Sequence, residues 1–162
     1  MRTIKFKGKS LMNGQWVSGD LAHSLDGKLN ILGFVEEEDG RMGFTGVFQV
    51  DPSTVCQFTG FTDKNGKEVY EGDVLRSDIY PFSCTEAHEY DNYYGAISWS
   101  EKAASFYIAA IKTPKLSVRD ICNSISQEII QDFEVVGNIH EEKWQQYGEY
   151  FKTEEEKEAD ND

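Results

Sequence analysis

The sequence predicts a mainly β domain, folded as a barrel or a sandwich with one supporting helix. Turn signals recur along the chain, with Asn-Gly or Asp-Gly at 13–14, 26–27 and 65–66. Short segments of alternating or β-prone residues lie between them. Phe and Tyr dominate the 13% aromatic fraction, and both favour strands. Many short strands with turn signals roughly every 8–12 residues are typical of barrels and sandwiches.

In the first third of the chain, the pattern predicts four strands. Thr3 to Lys7 alternates polar and apolar residues, as a half-buried strand does. Asn13-Gly14 then predicts a hairpin turn, and Ser18-Gly19-Asp20 a second turn. The predicted strands are 3–7, 15–17, 29–35 and 43–50.

The middle of the chain continues in the same manner. Asn65-Gly66 suits a type I′ turn, because both residues accept positive φ. Glu71-Gly72-Asp73 predicts a further turn. The strands expected around and after these turns are 55–59, 68–70, 74–75, 95–100, 105–111 and 133–139.

One amphipathic helix is predicted near 117–131. Ser117 is placed to cap it, with Asp120 three residues further on. Its apolar residues recur at helical spacing on one face: Val118, Ile121, Cys122, Ile125, Ile129 and Ile130. A short C-terminal helix is expected within 141–151. We therefore expect one domain over 1–151, followed by an acidic, disordered tail at 152–162.

Charge and composition disfavour several classes of function. The chain has 162 residues and a net charge of -13, so it repels phosphate backbones and direct nucleic-acid binding is disfavoured. No run approaches a membrane span and no apolar stretch follows the basic start, so we expect a cytoplasmic protein without membrane attachment. Three widely spaced cysteines favour reduced core thiols over a metal or redox site.

No catalytic motif is present. Phosphate loops, dinucleotide fingerprints, zinc-protease motifs and nucleophile elbows are all missing from the sequence, and no cofactor is implied. Asp63, Glu71 and Asp73 could be carboxylates for acid–base work. Their positions in turns favour a structural role instead. If the protein were a metal-dependent enzyme, the candidate metal ligands would be Glu86, His88, Glu89 and Asp91.

The irregular segment 77–93 carries four aromatic residues among acids. They are Tyr80, Phe82, Tyr90 and Tyr93. A loop of this length is uncommon in a small domain unless it serves a function. Aromatic residues are favoured anchors at protein interfaces, so these four are candidate binding residues. The alternative is that they pack over the edge of the β structure.

The segment 57–75, QFTGFTDKNGKEVYEGDVL, strongly resembles the hallmark of the YopX-like proteins of bacteriophages and prophages. The start MRTIKFKGKSLMNGQWVSGDL, the strand pair GAISWSEKAASF and the closing FEVVGNIHE also resemble that family. The resemblance implies an SH3-like barrel and a phage origin, and it implies no reaction. The hallmark residues, expected to be structural, are Asp63, Asn65, Gly66, Tyr70, Glu71, Gly72 and Asp73.

Three functional hypotheses follow. The first is a non-catalytic accessory module that binds a host or phage protein. The second is an acidic nucleic-acid mimic that blocks a host DNA-binding protein, and the third is the metal-dependent enzyme. The sequence leaves the association state open: edge strands of a small β domain can pair between chains, so a homo-oligomer is one possibility.

Overall fold

A computed structural model gives the structure of the protein, and it describes residues 3–36, 42–77, 93–112 and 125–145. The chain divides into two compact units, Met1–Gly60 and Phe61–Asp162. Ten strands in two antiparallel sheets and two short helices occupy the described residues, which confirms a mainly β fold. Neither sheet closes on itself within these ranges, so the SH3-like barrel stays a prediction. The single domain over 1–151 also stays a prediction, and the tail lies outside the described residues.

The first unit is a meander of antiparallel strands. Its strands are β1 (Phe6–Lys9), β2 (Trp16–His23), β3 (Leu29–Glu36), β4 (Met42–Gln49) and β5 (Cys56–Thr62). They lie in the order β4-β3-β2-β1-β5, and β5 runs across the boundary between the units. A short 3₁₀ turn at Pro52–Thr54 precedes β5, capped by the Asp51 side chain. Ile31 and Val50 are buried in this unit, and Gly8 leaves room for the Val50 side chain.

Gly19 lies inside β2, where the sequence predicted a turn. It pairs with Gly33 of β3 and has a φ of 155°. A Cβ atom at this position would stand 1.9 Å from the carbonyl oxygen of Leu32. The glycine is therefore required by the close approach of the neighbouring strand, and the predicted turn at 18–20 is wrong.

The second unit contains the other sheet. Its elements are β6 (Glu68–Tyr70), β7 (Asp73–Ser77), β8 (Tyr93–Ser100), β9 (Ser105–Lys112), α1 (Gln127–Ile130), β10 (Glu134–Asn138) and α2 (Glu142–Gln145). Its four strands lie in the order β10-β7-β8-β9, whereas β6 follows β5 in the order of the first sheet. Strand β10, near the end of the described chain, thus pairs directly with β7 of the hallmark segment.

Apolar side chains from β6, the second sheet, α1 and the turn after α1 form the core of this unit. The fully or nearly buried members are Val69, Leu75, Ile97, Phe106, Ile108, Ile130 and Phe133. Ile125 and Ile129 pack against them, but only Ile129 lies in α1; Ile125 precedes the helix, and its N–H donates to the Phe106 carbonyl, so the predicted helix is wrong at 125–126. Helix α1 covers the end of the helix predicted at 117–131, whose residues 117–124 lie outside the described ranges. Helix α2 confirms a short helix after β10.

Candidate functional site

The carboxylate of Asp63 organises the turn between β5 and β6. Its Oδ1 atom accepts hydrogen bonds from the backbone N–H groups of Asn65 at 2.8 Å and Lys67 at 2.9 Å. The N–H of Gly66 donates to the Asp63 carbonyl at 2.9 Å, and Gly66 has a φ of 79°. Asn65 has no positive φ, so the predicted type I′ turn is wrong. The geometry is that of a type I turn with Asp first and Gly fourth.

The same carboxylate reaches strand β10. Its Oδ2 atom accepts a hydrogen bond of 2.9 Å from the backbone N–H of Val135. Beside it, the N–H of Lys64 donates to the Phe133 carbonyl at 2.8 Å. Buried Asp63 therefore makes three hydrogen bonds to backbone N–H groups, two within its turn and one to a strand 72 residues away.

A charged cluster lies next to this junction. The Glu134 carboxylate forms a salt bridge of 3.2 Å with Lys64 and a second one with Arg76 of β7. The hydrogen bond from Lys64 and the positive charge of Arg76 lower the pKa of Glu134 below its ordinary value. Glu134 thus remains ionised between two cations, Lys64 within the hallmark segment and Arg76 directly after it.

A second buried carboxylate, that of Asp73, joins the next hallmark turn to the end of β10. Its Oδ2 accepts from the backbone N–H of Tyr70 at 2.9 Å, and its Oδ1 accepts from Nδ2 of Asn138 at 3.0 Å. Gly72, with a φ of 73°, accepts from the N–H of Ile139 and donates to the Ile97 carbonyl, both at 2.8 Å. The turn is thereby tied to two other strands of the second unit.

These contacts bring the predicted hallmark residues together, and they use the carboxylates to hold backbone groups. Tyr70 is buried, and its hydroxyl donates to Glu68 at 2.7 Å. The backbone carbonyl of Glu71 lies 3.5 Å from Nδ2 of Asn138. Asn138 and Glu134 were not singled out from the sequence. The closing motif FEVVGNIHE, already recognised as family-like, was the signal that could have found them.

The predicted binding residues Tyr80, Phe82 and Tyr90 lie outside the described residues. Tyr93 is the first residue of β8 and its backbone pairs with Ser77. The predicted metal cluster at 86–91 is also outside the described ranges. Within the described part of the chain, no group of three His, Cys, Asp or Glu side chains could hold a metal ion.

The first unit exposes apolar residues that the sequence did not single out, and three of them, Leu11, Met12 and Val47, line one groove. Met12, Phe44, Val47 and Leu11 are 83%, 60%, 59% and 58% exposed. A shallow groove of about 410 Å³ lies there; Ser10, Leu11, Met12, Val47, Phe48 and Gln49 line it. We call this the β4 surface. Exposed apolar groups gathered in this way mark interaction sites more often than scattered ones do.

The first unit also has a basic and aromatic contact. The ammonium groups of Lys7 and Lys9 lie 5.0 Å and 5.5 Å from the centre of the Trp16 ring. Lys9 and Trp16 are directly opposite each other in the β1–β2 ladder. Both contacts are cation–π interactions between β1 and the first residue of β2.

The family model described as YopX protein matches residues 5–143, so the chain belongs to the YopX family. A search of curated proteins finds no match. Among solved structures, the chain is similar to protein EF1440 from Enterococcus faecalis, with 18% sequence identity and a TM-score of 0.48. That similarity covers 89% of this chain and 99% of the other. No described helix has the length and hydrophobicity to span a membrane.

Proposed function

We propose that this protein is a non-catalytic accessory module of phage or prophage origin that binds a basic surface of a host or phage protein in the bacterial cytoplasm. The observation that supports this most is the unequal charge of the two units. Residues 1–60 hold six basic and seven acidic residues, a net charge of -1. Residues 61–162 hold ten basic and 22 acidic residues, a net charge of -12.

Charge concentrated in one unit attracts a partner of opposite sign and sets its rate of association. The second unit is therefore suited to a basic surface and repels phosphate backbones. The aromatic residues Tyr80, Phe82 and Tyr90 belong to the same unit, and we propose that they contact the partner as apolar anchors.

The hydrogen bonds of the hallmark argue against acid–base catalysis by Asp63 and Asp73. A general base needs a carboxylate that can reach a substrate proton. Asp63 and Asp73 are buried and accept hydrogen bonds from backbone and amide N–H groups. These two carboxylates of the hallmark therefore stabilise the fold.

Affinity capture tests this function. The full chain, immobilised and exposed to bacterial lysate at low and high salt, should retain a basic protein at low salt and release it at high salt, because salt screens charge attraction. A variant with Tyr80→Ala, Phe82→Ala and Tyr90→Ala should lose the retained protein. Leu25→Ala, at an exposed position in the first unit, is the control that should retain it. Capture that ignores both salt and the three aromatic substitutions would contradict the proposal.

The net charge of -12 also favours a second candidate, mimicry of nucleic acid. In that case the captured protein would be a DNA-binding protein, and a DNA duplex would compete with the chain for it. If the captured protein bound the chain and the DNA duplex at the same time, mimicry would be excluded and the binding-module hypothesis would stand.

A further inference from the structure

The chain contains the dipeptide Asn-Gly twice, at Asn13-Gly14 and at Asn65-Gly66, and both copies are exposed in turns. Asparagine before glycine is prone to spontaneous deamidation, because glycine has no side chain to shield its backbone nitrogen. A Cβ atom at either glycine would meet nothing within 4 Å, so water reaches both sites. What distinguishes the two sites is the way in which each turn is held.

Deamidation joins the backbone nitrogen of the glycine to the side-chain Cγ of the asparagine. The nitrogen forms a bond to Cγ and gives up its proton, the bond from Cγ to Nδ2 breaks, and Nδ2 takes up a proton and leaves as ammonia. Water then opens the succinimide ring to give aspartate or isoaspartate, so no other reactant is needed. Negative charge develops on Oδ1 during the attack, and a hydrogen-bond donor at Oδ1 therefore favours the reaction.

The Asn13 turn supplies such a donor. The N–H of Gln15 donates to Oδ1 of Asn13 at 3.0 Å. The N–H of Gly14 donates to the Ser10 carbonyl at 2.8 Å, and this contact must open before the nitrogen can attack. Residues 11–15 are all exposed, and both hydrogen bonds stay within the turn. Opening is therefore a local event, and the local opening of an exposed turn costs little free energy.

The Asn65 turn is held from outside. The N–H of Gly66 donates to the Asp63 carbonyl at 2.9 Å, as Gly14 does in the other turn. The Asp63 carboxylate accepts from the N–H groups on either side of Gly66 and also from Val135 of β10. Within the described part of the chain, Oδ1 of Asn65 accepts no hydrogen bond. Release of Gly66 thus requires the junction with β10 to loosen, which costs more than a local opening.

We propose that Asn13 is a site of spontaneous deamidation in the folded protein, and that Asp63 protects Asn65 from the same reaction. The product at Asn13 carries a negative charge next to Met12, which lines the groove of the β4 surface. No residue that lines this groove is charged, so the reaction changes the electrostatics of an apolar surface. At Asn65, isoaspartate would lengthen the backbone between N–H groups that Asp63 binds, and protection preserves that junction. The proposal is independent of partner binding by the second unit.

Peptide mapping by mass spectrometry tests the reaction at Asn13, with the full chain sampled during incubation at neutral pH. In the folded protein, Asn13 should convert about tenfold or more faster than Asn65, because the junction lowers the population of the open turn. In urea the two sites should convert at similar rates, since both are then flexible. Asn13→Gln should abolish the product at that turn, because the longer side chain closes its ring far more slowly. Equal rates at the two sites in the folded protein would overturn the proposal, as would an Asn13 that stays intact while the chain in urea converts.

Asp63→Ala tests the protection of Asn65. It should raise the rate at Asn65 about tenfold or more and leave the rate at Asn13 unchanged, because each N–H group that loses its acceptor favours the open turn. Asp132→Ala, which removes an exposed carboxylate of the same unit, should change neither rate.

A rise at both sites would mean that Asp63→Ala has unfolded the chain, and Glu134→Gln then provides the test. This variant removes the salt bridges beside the turn and retains the hydrogen bonds of Asp63. It should raise the rate at Asn65 less than Asp63→Ala does, and it should not affect Asn13. A rate at Asn65 that keeps its wild-type value in a folded Asp63→Ala, or in Glu134→Gln when Asp63→Ala unfolds, would overturn the protective role.

Discussion

The side-chain amide of Asn138 donates a hydrogen bond of 3.0 Å to the buried carboxylate of Asp73, 65 residues earlier in the chain. The same Asn138 accepts a 3.0 Å bond from the N–H of His140, and the backbone carbonyl of Glu71 lies 3.5 Å from its amide nitrogen. One amide thus links the hallmark turn to the end of β10. The hallmark and the closing motif of the family are two halves of one hydrogen-bonded junction.

Replacing Asn138 by Asp places two carboxylates at hydrogen-bond distance in a buried position. One of them must then be protonated, because two buried negative charges repel, so its pKa rises above the unfolded value. A raised folded-state pKa contributes stability at low pH that is lost as the pH increases through it. We expect Asn138→Asp to be less stable than the wild type at neutral pH and to recover part of the difference in acid, measured by urea unfolding. Equal losses at all pH values would contradict this.

Asp63→Ala should lower the free energy of unfolding by about 3 kcal/mol, because it leaves three backbone N–H groups without their acceptor. Those groups belong to Asn65, Lys67 and Val135. Asp132→Ala removes an exposed carboxylate in the same unit and should change stability by less than about 0.5 kcal/mol. Urea unfolding of both variants provides the comparison, and similar values for the two would refute a structural role for Asp63.

The contribution of Glu134 depends on pH. Its pKa is lowered in the folded protein, chiefly by the hydrogen bond from Lys64. A lowered folded-state pKa gives stability above the unfolded pKa, and that stability is lost as the pH falls through the folded value. Glu134→Gln should therefore melt below the wild type at neutral pH, and the two midpoints should converge in acid. Glu101→Gln, at an exposed turn, controls for the loss of one negative charge. If the thermal midpoints of the wild type and Glu134→Gln still differ in acid, the loss of stability has a cause other than the charge of Glu134.

Two glycines of the hallmark allow the cost of backbone strain to be distinguished from the cost of side-chain crowding. Gly66 and Gly72 have φ values of 79° and 73°. A Cβ at Gly66 meets nothing within 4 Å, whereas one at Gly72 lies 3.2 Å from Ile139 and 3.3 Å from Asn138. Gly66→Ala should cost about 1–2 kcal/mol from the left-handed conformation alone. Gly72→Ala should cost more in the same unfolding experiment, and an equal cost would mean that its neighbours adjust freely.

Most of the strands could be predicted from the sequence, because their signals are local. Alternation and turn residues lie within a few positions of one another, and β6 matches its predicted range of 68–70. Gly19 was misread because its neighbours Ser18 and Asp20 are turn formers. The reason for the glycine is the Leu32 carbonyl on another strand, which no local pattern contains.

The junction between hallmark and β10 could be predicted only in part. That Asp63 and Asp73 stabilise turns follows from their positions beside Asn-Gly and Gly. Their second contacts, with Val135 and Asn138, join positions 72 and 65 residues apart, and a single sequence carries no signal for such pairs. The turn type was wrong for a different, local reason, since the Asp63 carboxylate accepts from the N–H groups of Asn65 and Lys67, two and four residues away.

The three tryptophans are divided between the units. Trp16, with Lys7 and Lys9 against its ring, belongs to residues 1–60. Trp99 and Trp144 belong to the second unit, where Trp99 contacts Phe106 edge-on and Trp144 contacts Tyr94. Each unit therefore carries its own intrinsic fluorophore. With phenylalanine in place of Trp99 and Trp144, emission from Trp16 alone would follow the first unit through a denaturation experiment, and the two units could be timed separately.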